Sequence, residues 1–130
     1  MVRRAFACRL YHSKRLRYLH ATLDLAAESH NHLIAVQKRY YRRFQGYVGY
    51  YRLKRHVTKL KGMARFAHWK QLDAQAIQQI VWRIDQGYQR FFRKENRRPP
   101  TFRKRSRYRS ITLSQTGWRY ACGNRLLWLH

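Results

Sequence analysis

The chain has 130 residues and carries 30 Lys and Arg against 5 Asp and Glu, a formal net charge of +25. Hydrophobic residues make up 45% and aromatics 15%, too many for a disordered basic tail, so the chain is built to fold around a core. No apolar run approaches the roughly 18 to 20 residues needed to span a bilayer, and Met1 to Arg15 lacks the apolar stretch of a secretory signal. A cytoplasmic protein whose self-repulsion is relieved by a polyanion is the expectation, and nucleic acid is the obvious counterpart.

The first element in the chain is a strand over residues 3 to 11, where Phe6, Cys8 and Leu10 alternate with Ala7, Arg9 and Tyr11. Cys8 and Cys122 both fall in expected strands, so a disulfide is geometrically conceivable, although an intracellular chain more often keeps such residues as thiols. Ser13 is a candidate N-cap for a long helix. In it Leu16, Leu19, Leu23, Ala26, His30, Leu33, Gln37, Tyr40 and Phe44 recur at spacings of three and four. Gly46 and Gly49 are expected to end it, and a short helix over residues 50 to 61 stops at Gly62.

Asp73 offers the next N-cap, before the cleanest amphipathic stripe in the chain: Ala76, Ile77, Ile80, Val81, Ile84, Tyr88, Phe91 and Phe92. Residues 90 to 109 then hold ten Lys and Arg against Glu95, and Pro99 and Pro100 exclude a regular helix there. The runs SITLS, GWRYACG and RLLWL, broken by Gly117 and Gly123, read as strands. The opening strand would have to pair with these, making the helices an insertion into a β unit left incomplete at His130.

Catalysis finds little material. A two-metal nuclease needs converging carboxylates, and only Asp24, Glu28, Asp73, Asp85 and Glu95 exist. Asp24 and Glu28 read as intrahelical partners of basic neighbours, Asp73 as a cap, and Asp85 and Glu95 as local charge balance. His30-Asn31-His32 invites comparison with HNH nucleases and with the paired histidines of a single-strand transposase. In a helix, however, positions i and i+2 point apart, so His30 reads as semi-buried and His32 as solvated. Two isolated cysteines make no zinc site, and QGYVGYY is not a phosphate loop. No catalytic or metal-ligating residue is therefore expected.

What remains is basic surface interleaved with rings, in Lys38 to Phe44 and in Arg103 to Arg109. Arginine forks phosphates and stacks, and tyrosine can offer a face to an unstacked base. No acid lies between Glu28 and Asp73, so Arg39, Arg42, Arg43, Arg55 and Lys59 form one candidate surface. Arg97, Arg98, Arg103, Lys104, Arg105, Arg107, Tyr108 and Arg109 form another. Phe44, Phe91 and Phe92 are better placed in the core.

Three separated stretches resemble one family. RAFACRLYHSKR, LDAQAIQQIVWRIDQGYQRFFRK and PPTFRKRSRYRSITL are similar, in order and spacing, to segments of the TnpB (OrfB) family. Its members are RNA-guided endonucleases of bacterial insertion sequences, related to type V CRISPR effectors. The resemblance covers the N-terminal part of such a protein. It implies an α+β fold in which an incomplete, OB-like β-barrel wedge encloses an inserted helical recognition bundle. The first wedge strand would be 1 to 12, the recognition domain 13 to 95, and the basic loop with further wedge strands 96 to 130.

The resemblance further implies guide RNA and target DNA as partners. A RuvC nuclease half, with its Mg, would come from a longer chain or a separate polypeptide. By position, the residues reading the motif beside the target are Tyr50, Lys54 and Gln78, with Lys54 in place of a small hydroxyl and Ala74 in place of a lysine. His12 replaces a proline. Gly87 stands where alanine is common, a weakness of about 1 kcal/mol in a helix interior. The alternatives are a stand-alone DNA-binding repressor or transposition accessory protein and, less in keeping with the residues, the metal-dependent single-strand transposase.

Overall fold

The computed structural model describes Lys14, residues 16–113, and the segments 118–121 and 126–129. Helix α1, Leu16–Phe44, is about 43 Å long at 1.5 Å per residue. Its buried face, Ala26, Ala27, Ser29, His30, Leu33, Ile34 and Gln37, follows the spacing of three and four read from the sequence. The expected opening strand, its Cys8 and the Ser13 cap lie outside the described residues, as does Cys122.

Helix α2 is Tyr50–Lys61, ending at Gly62, and buries Leu53, Val57 and Leu60. Helix α3 is Ala74–Phe92, and the Asp73 carboxylate caps it by accepting from the Gln75 N–H at 2.8 Å. Between α2 and α3 lies an element the sequence did not announce, a 3₁₀ helix over Ala64–Gln71 whose one buried residue is Trp69. Helices α1 and α2 both pack on α3, while the 3₁₀ stretch bridges α2 and α1. The shared core is aliphatic: Leu33 and Ile34 from α1, Leu53 and Val57 from α2, and Ile77, Ile80, Val81 and Ile84 from α3.

The helix ends differ from expectation. Gly46 and Gly49 do not supply the left-handed residue that closes α1; Gln45 does, at φ 54°. Lys94, at φ 61°, plays the same part after α3. There the Glu95 N–H reaches the Arg90 carbonyl at 2.9 Å and the Lys94 N–H the Phe91 carbonyl at 3.0 Å, the paired closure of a Schellman motif. The Gln45 N–H bonds the Tyr41 carbonyl at 2.8 Å.

The α+β reading does not hold, because the described residues are predominantly helical and contain no barrel. Among the described residues, strand structure is confined to one antiparallel hairpin, Trp118–Ala121 with Leu126–Leu129, in which Trp118 pairs with Leu129 and Ala121 with Leu126. The expected strand at SITLS is absent over residues 110–113. Its apolar residues are used otherwise: Ile111 and Leu113 pack against the helical core. Alternation there marks a segment lying along helices, with no ladder to satisfy.

Gly87 is also not the tolerated weakness that its sequence context suggested. The loop after α3 returns across the helix so closely that a Cβ on Gly87 would stand 2.6 Å from Pro100 Cγ. A pyrrolidine ring cannot swing aside as a flexible side chain can, so the glycine is the condition for this approach. The roughly 1 kcal/mol of helix propensity it forfeits is set against a contact that alanine would abolish.

Candidate nucleic-acid interface

All five carboxylates are engaged. Asp24 Oδ1 lies 3.9 Å from Arg105 Nε, and Glu95 3.2 Å from Arg93 Nε. Glu28 Oε1 accepts from Trp69 Nε1 at 3.1 Å and lies 2.7 Å from the His68 imidazole. Asp85 accepts from the Tyr47 hydroxyl, and Asp73 caps α3. Glu95 balances charge locally as its position suggested, but Asp24 and Glu28 reach across to other elements and are not intrahelical partners. Asp24 and Glu28 share α1 but turn to different partners, and Asp73 and Asp85 stand at the start and in the body of α3; among the described residues no three His, Cys, Asp or Glu side chains gather where a metal could sit. The donor set does not fit a Mg site.

Among the described Lys and Arg side chains, only Arg93 and Arg105 lie within 4 Å of a carboxylate. Most of the remaining described cations are exposed, and three groups of them stand out. The first lies where the end of α1 meets the start of α2. Arg39, Arg42 and Arg43 are exposed there, and the Arg43 guanidinium lies 5.6 Å from the Phe44 ring centre. Arg52 donates to the Tyr40 hydroxyl at 3.2 Å, and Lys54 Nζ stands 5.2 Å over the Tyr50 ring. Phe44, expected in the core, is 61% exposed, as Tyr51 is at 73%, so this surface combines cations with open ring faces. Arg55 and Lys59 extend it along α2. Gln78 is half-buried on α3, a different helix from Tyr50 and Lys54.

The second group surrounds the histidines. The sequence was right that His30 and His32 point apart, but His32 is half-buried among rings and only partly solvated. Its ring stacks with His56 at 6.2 Å and meets Phe66 and Trp69 edge-on at 4.9 and 5.3 Å. Together with Arg39, Arg65 and Glu28 it lines a cleft of about 490 Å³. His30 instead faces the loop, its Nε2 3.2 Å from the Thr101 carbonyl and its ring 5.7 Å from that of Tyr108.

Burial depresses the affinity of His30, His32 and His56 for a proton, and the charges of Arg103, Arg39 and Lys59 respectively among their neighbours act in the same direction. Burial works to raise Glu28, but hydrogen bonds from Trp69 and His68 and the charges of His68 and Arg105 hold it below the ordinary carboxyl value. The unfolded histidines bind protons near pH 6.5 while the folded ones resist, so the folded state is favoured above that value and loses ground as pH falls below it. Glu28 adds a loss in the same direction, below its ordinary 4.5. Urea midpoints should therefore drop between about pH 7.5 and 5.5; equal midpoints would contradict the burial of these rings.

The third group is the loop. Asn31 pins it with two bonds to the Arg103 backbone, donating to the carbonyl and accepting from the N–H, each at 2.9 Å. Lys38 Nζ lies 4.3 Å over the Phe102 ring. Arg97, Arg98, Arg103, Lys104, Arg105, Arg107 and Arg109 are exposed, with Arg105 to Arg107 forming a single 3₁₀ turn. Tyr108, expected to meet a base, is 6% exposed and belongs to the core, so it anchors the loop that carries its basic neighbours.

Sequence reasoning missed Trp82, Arg83 and Arg90 on α3. The signal was present: Arg83, Gly87 and Arg90 are four and then three residues apart, one helical face with a gap at its centre. Phe92, expected in the core, is 50% exposed beyond the end of that face. No described helix is long and apolar enough to cross a membrane. The chain matches no protein-family model, and no curated protein matches its sequence.

Proposed function

We propose that the chain is the nucleic-acid-binding portion of a TnpB-like RNA-guided DNA endonuclease, acting in the bacterial cytoplasm. It would hold guide RNA and read target DNA with its adjacent motif, while a nuclease half elsewhere cuts. One observation carries the binding role: every carboxylate is consumed within the protein, whereas the arginines and lysines of the α1–α2 surface and the loop face outward without carboxylate partners, Arg105 aside. A body so charged gains by neutralising phosphates and releasing their counterions. The open rings of Phe44 and Tyr51 among those cations suit bases and sugars better than a purely electrostatic lattice would. The α1–α2 surface is assigned to duplex and heteroduplex, and the loop to guide RNA.

Purification from cells, nuclease digestion and sequencing of the protected strand should recover one defined noncoding RNA. Replacing Arg103, Arg105 and Arg107 together by glutamine should weaken that RNA and flatten its salt dependence by about one unit per lost phosphate contact. Recovery of assorted fragments, or an unchanged slope, would overturn the assignment.

A further inference from the structure

Between α3 and the returning loop lies a second cleft, of about 430 Å³, within the roughly 300–1,000 Å³ of sites that enclose small ligands. Trp82, Arg83, Arg90, Arg98 and Arg103 all line it, and no carboxylate does. Two of the arginines come from one face of α3, and two from the loop laid across that face. The crossing point is the contact between Gly87 and Pro100, so the absent side chain brings the two pairs together. Arg83 is steadied by donating to the Thr112 hydroxyl. Trp82 is 47% exposed, a large ring left open at the edge of a concentrated positive field.

Four guanidiniums with no acid among them select an anion of several charges, and forked donors favour phosphate oxygens. The open indole adds a face for a planar group, which in a polyphosphate chain is a base. A paired base cannot present its face, because its neighbours in the stack cover it, and a double helix is far too wide for this cleft. We infer that the cleft captures one unpaired nucleotide of a single-stranded nucleic acid, with Trp82 stacking the base and Arg83, Arg90, Arg98 and Arg103 holding the flanking phosphates. This rests on the nucleic-acid-binding reading above and adds to it a place and a strandedness.

The test measures affinity of the full chain for a fluorescein-labelled uridine strand of about 12 nucleotides and for a DNA duplex of about 12 base pairs. Trp82→Ala should weaken the single strand by about 5- to 100-fold and leave the duplex unchanged, while Trp82→Phe, which keeps a ring, restores most of the loss. Arg90→Gln with Arg98→Gln, both at exposed positions, should reduce the single-strand salt slope by about 1.4, from two contacts at about 0.7 each. Thermal melts of each variant confirm folding, and the arginine pair stands as an independent measurement should Trp82→Ala melt early. Single-strand affinity unchanged in Trp82→Ala, equal losses for both probes, or an unchanged slope in the arginine pair would overturn the cleft assignment while leaving duplex binding intact as a property of the α1–α2 surface. Failure of the unmodified chain to bind either probe would overturn the nucleic-acid reading and this one with it.

Discussion

Trp69→Ala should lower the free energy of unfolding by about 3–5 kcal/mol, much of the roughly 5–15 kcal/mol that a domain possesses. Trp69 is 0% exposed, and its ring meets His32 at 5.3 Å and Phe66 at 5.1 Å. It is the one buried side chain of the 3₁₀ stretch, so its removal also releases that segment from the helices. The loss has a polar part, since Glu28 would forfeit the 3.1 Å bond from the indole and keep only His68. Trp69→Phe should fall between, restoring ring packing without the donor. Urea unfolding monitored by circular dichroism would measure both, and a loss below about 1 kcal/mol in the alanine variant would show that this stretch contributes little to the core.

Gln37→Leu should cost about 2–4 kcal/mol although it exchanges a polar residue for an apolar one in an apolar setting. The Gln37 amide donates to the Val48 carbonyl at 2.7 Å and accepts from the Val48 N–H at 3.0 Å, the two partners being 11 residues apart. Leucine fills similar volume but leaves two buried backbone groups unpaired, and each carries its own desolvation penalty. Gln37→Glu separates the contributions: a carboxylate still accepts from the N–H but meets the Val48 carbonyl as a second acceptor. Because Val48 lies just before α2 begins, the same variants should disturb the placement of Tyr50 and Lys54. Stability of Gln37→Leu equal to the parent would mean that these backbone groups find water instead.

Much of the helical fold was legible, for a specific reason. Spacing records which face of a helix is apolar, and α1 and α3 bury the faces their spacings marked, with α2 in its expected place before Gly62 and Asp73 capping as its position required. Spacing does not record what covers that face or where the cover stops. Phe44 and Phe92 continue the stripes of α1 and α3 but lie at helix ends, where Tyr40 and Tyr47 respectively meet each ring without covering it, and so half or more of each stays in solvent. Trp69 carries no periodic signal because an irregular segment delivers it, and Tyr108 reaches the core from a loop that reads as pure charge.

Pairings distant in sequence were illegible for the same reason. Glu28 and Asp24 had basic neighbours nearby and chose partners on other elements, which no local window contains. The β expectation failed at SITLS because alternation suits any segment with one covered side, and here helices cover it. Of the interface, the exposed arginines could be anticipated from charge alone. The cleft under Trp82 could not, since it depends on a glycine and a proline meeting across 13 positions.

The Gly87–Pro100 contact also divides the basic segment into two parts with different tolerance for changes in length. Beyond it, Thr101, Arg103 and Tyr108 are each tied to α1 or the core, so their spacing is fixed by three attachments. Before it, residues 93 to 98 are exposed throughout and leave the helix through its C-terminal motif. Residues added or removed at 96 or 97 change the length of an exposed bulge and the position of Arg98, while the notch in α3 still sets where Pro100 lands. The placement of Arg103, Arg105, Arg107 and Arg109 is thereby insulated from insertions immediately upstream, that of Arg97 and Arg98 is not, and the register of the loop beyond Pro100 belongs to the helix beneath it.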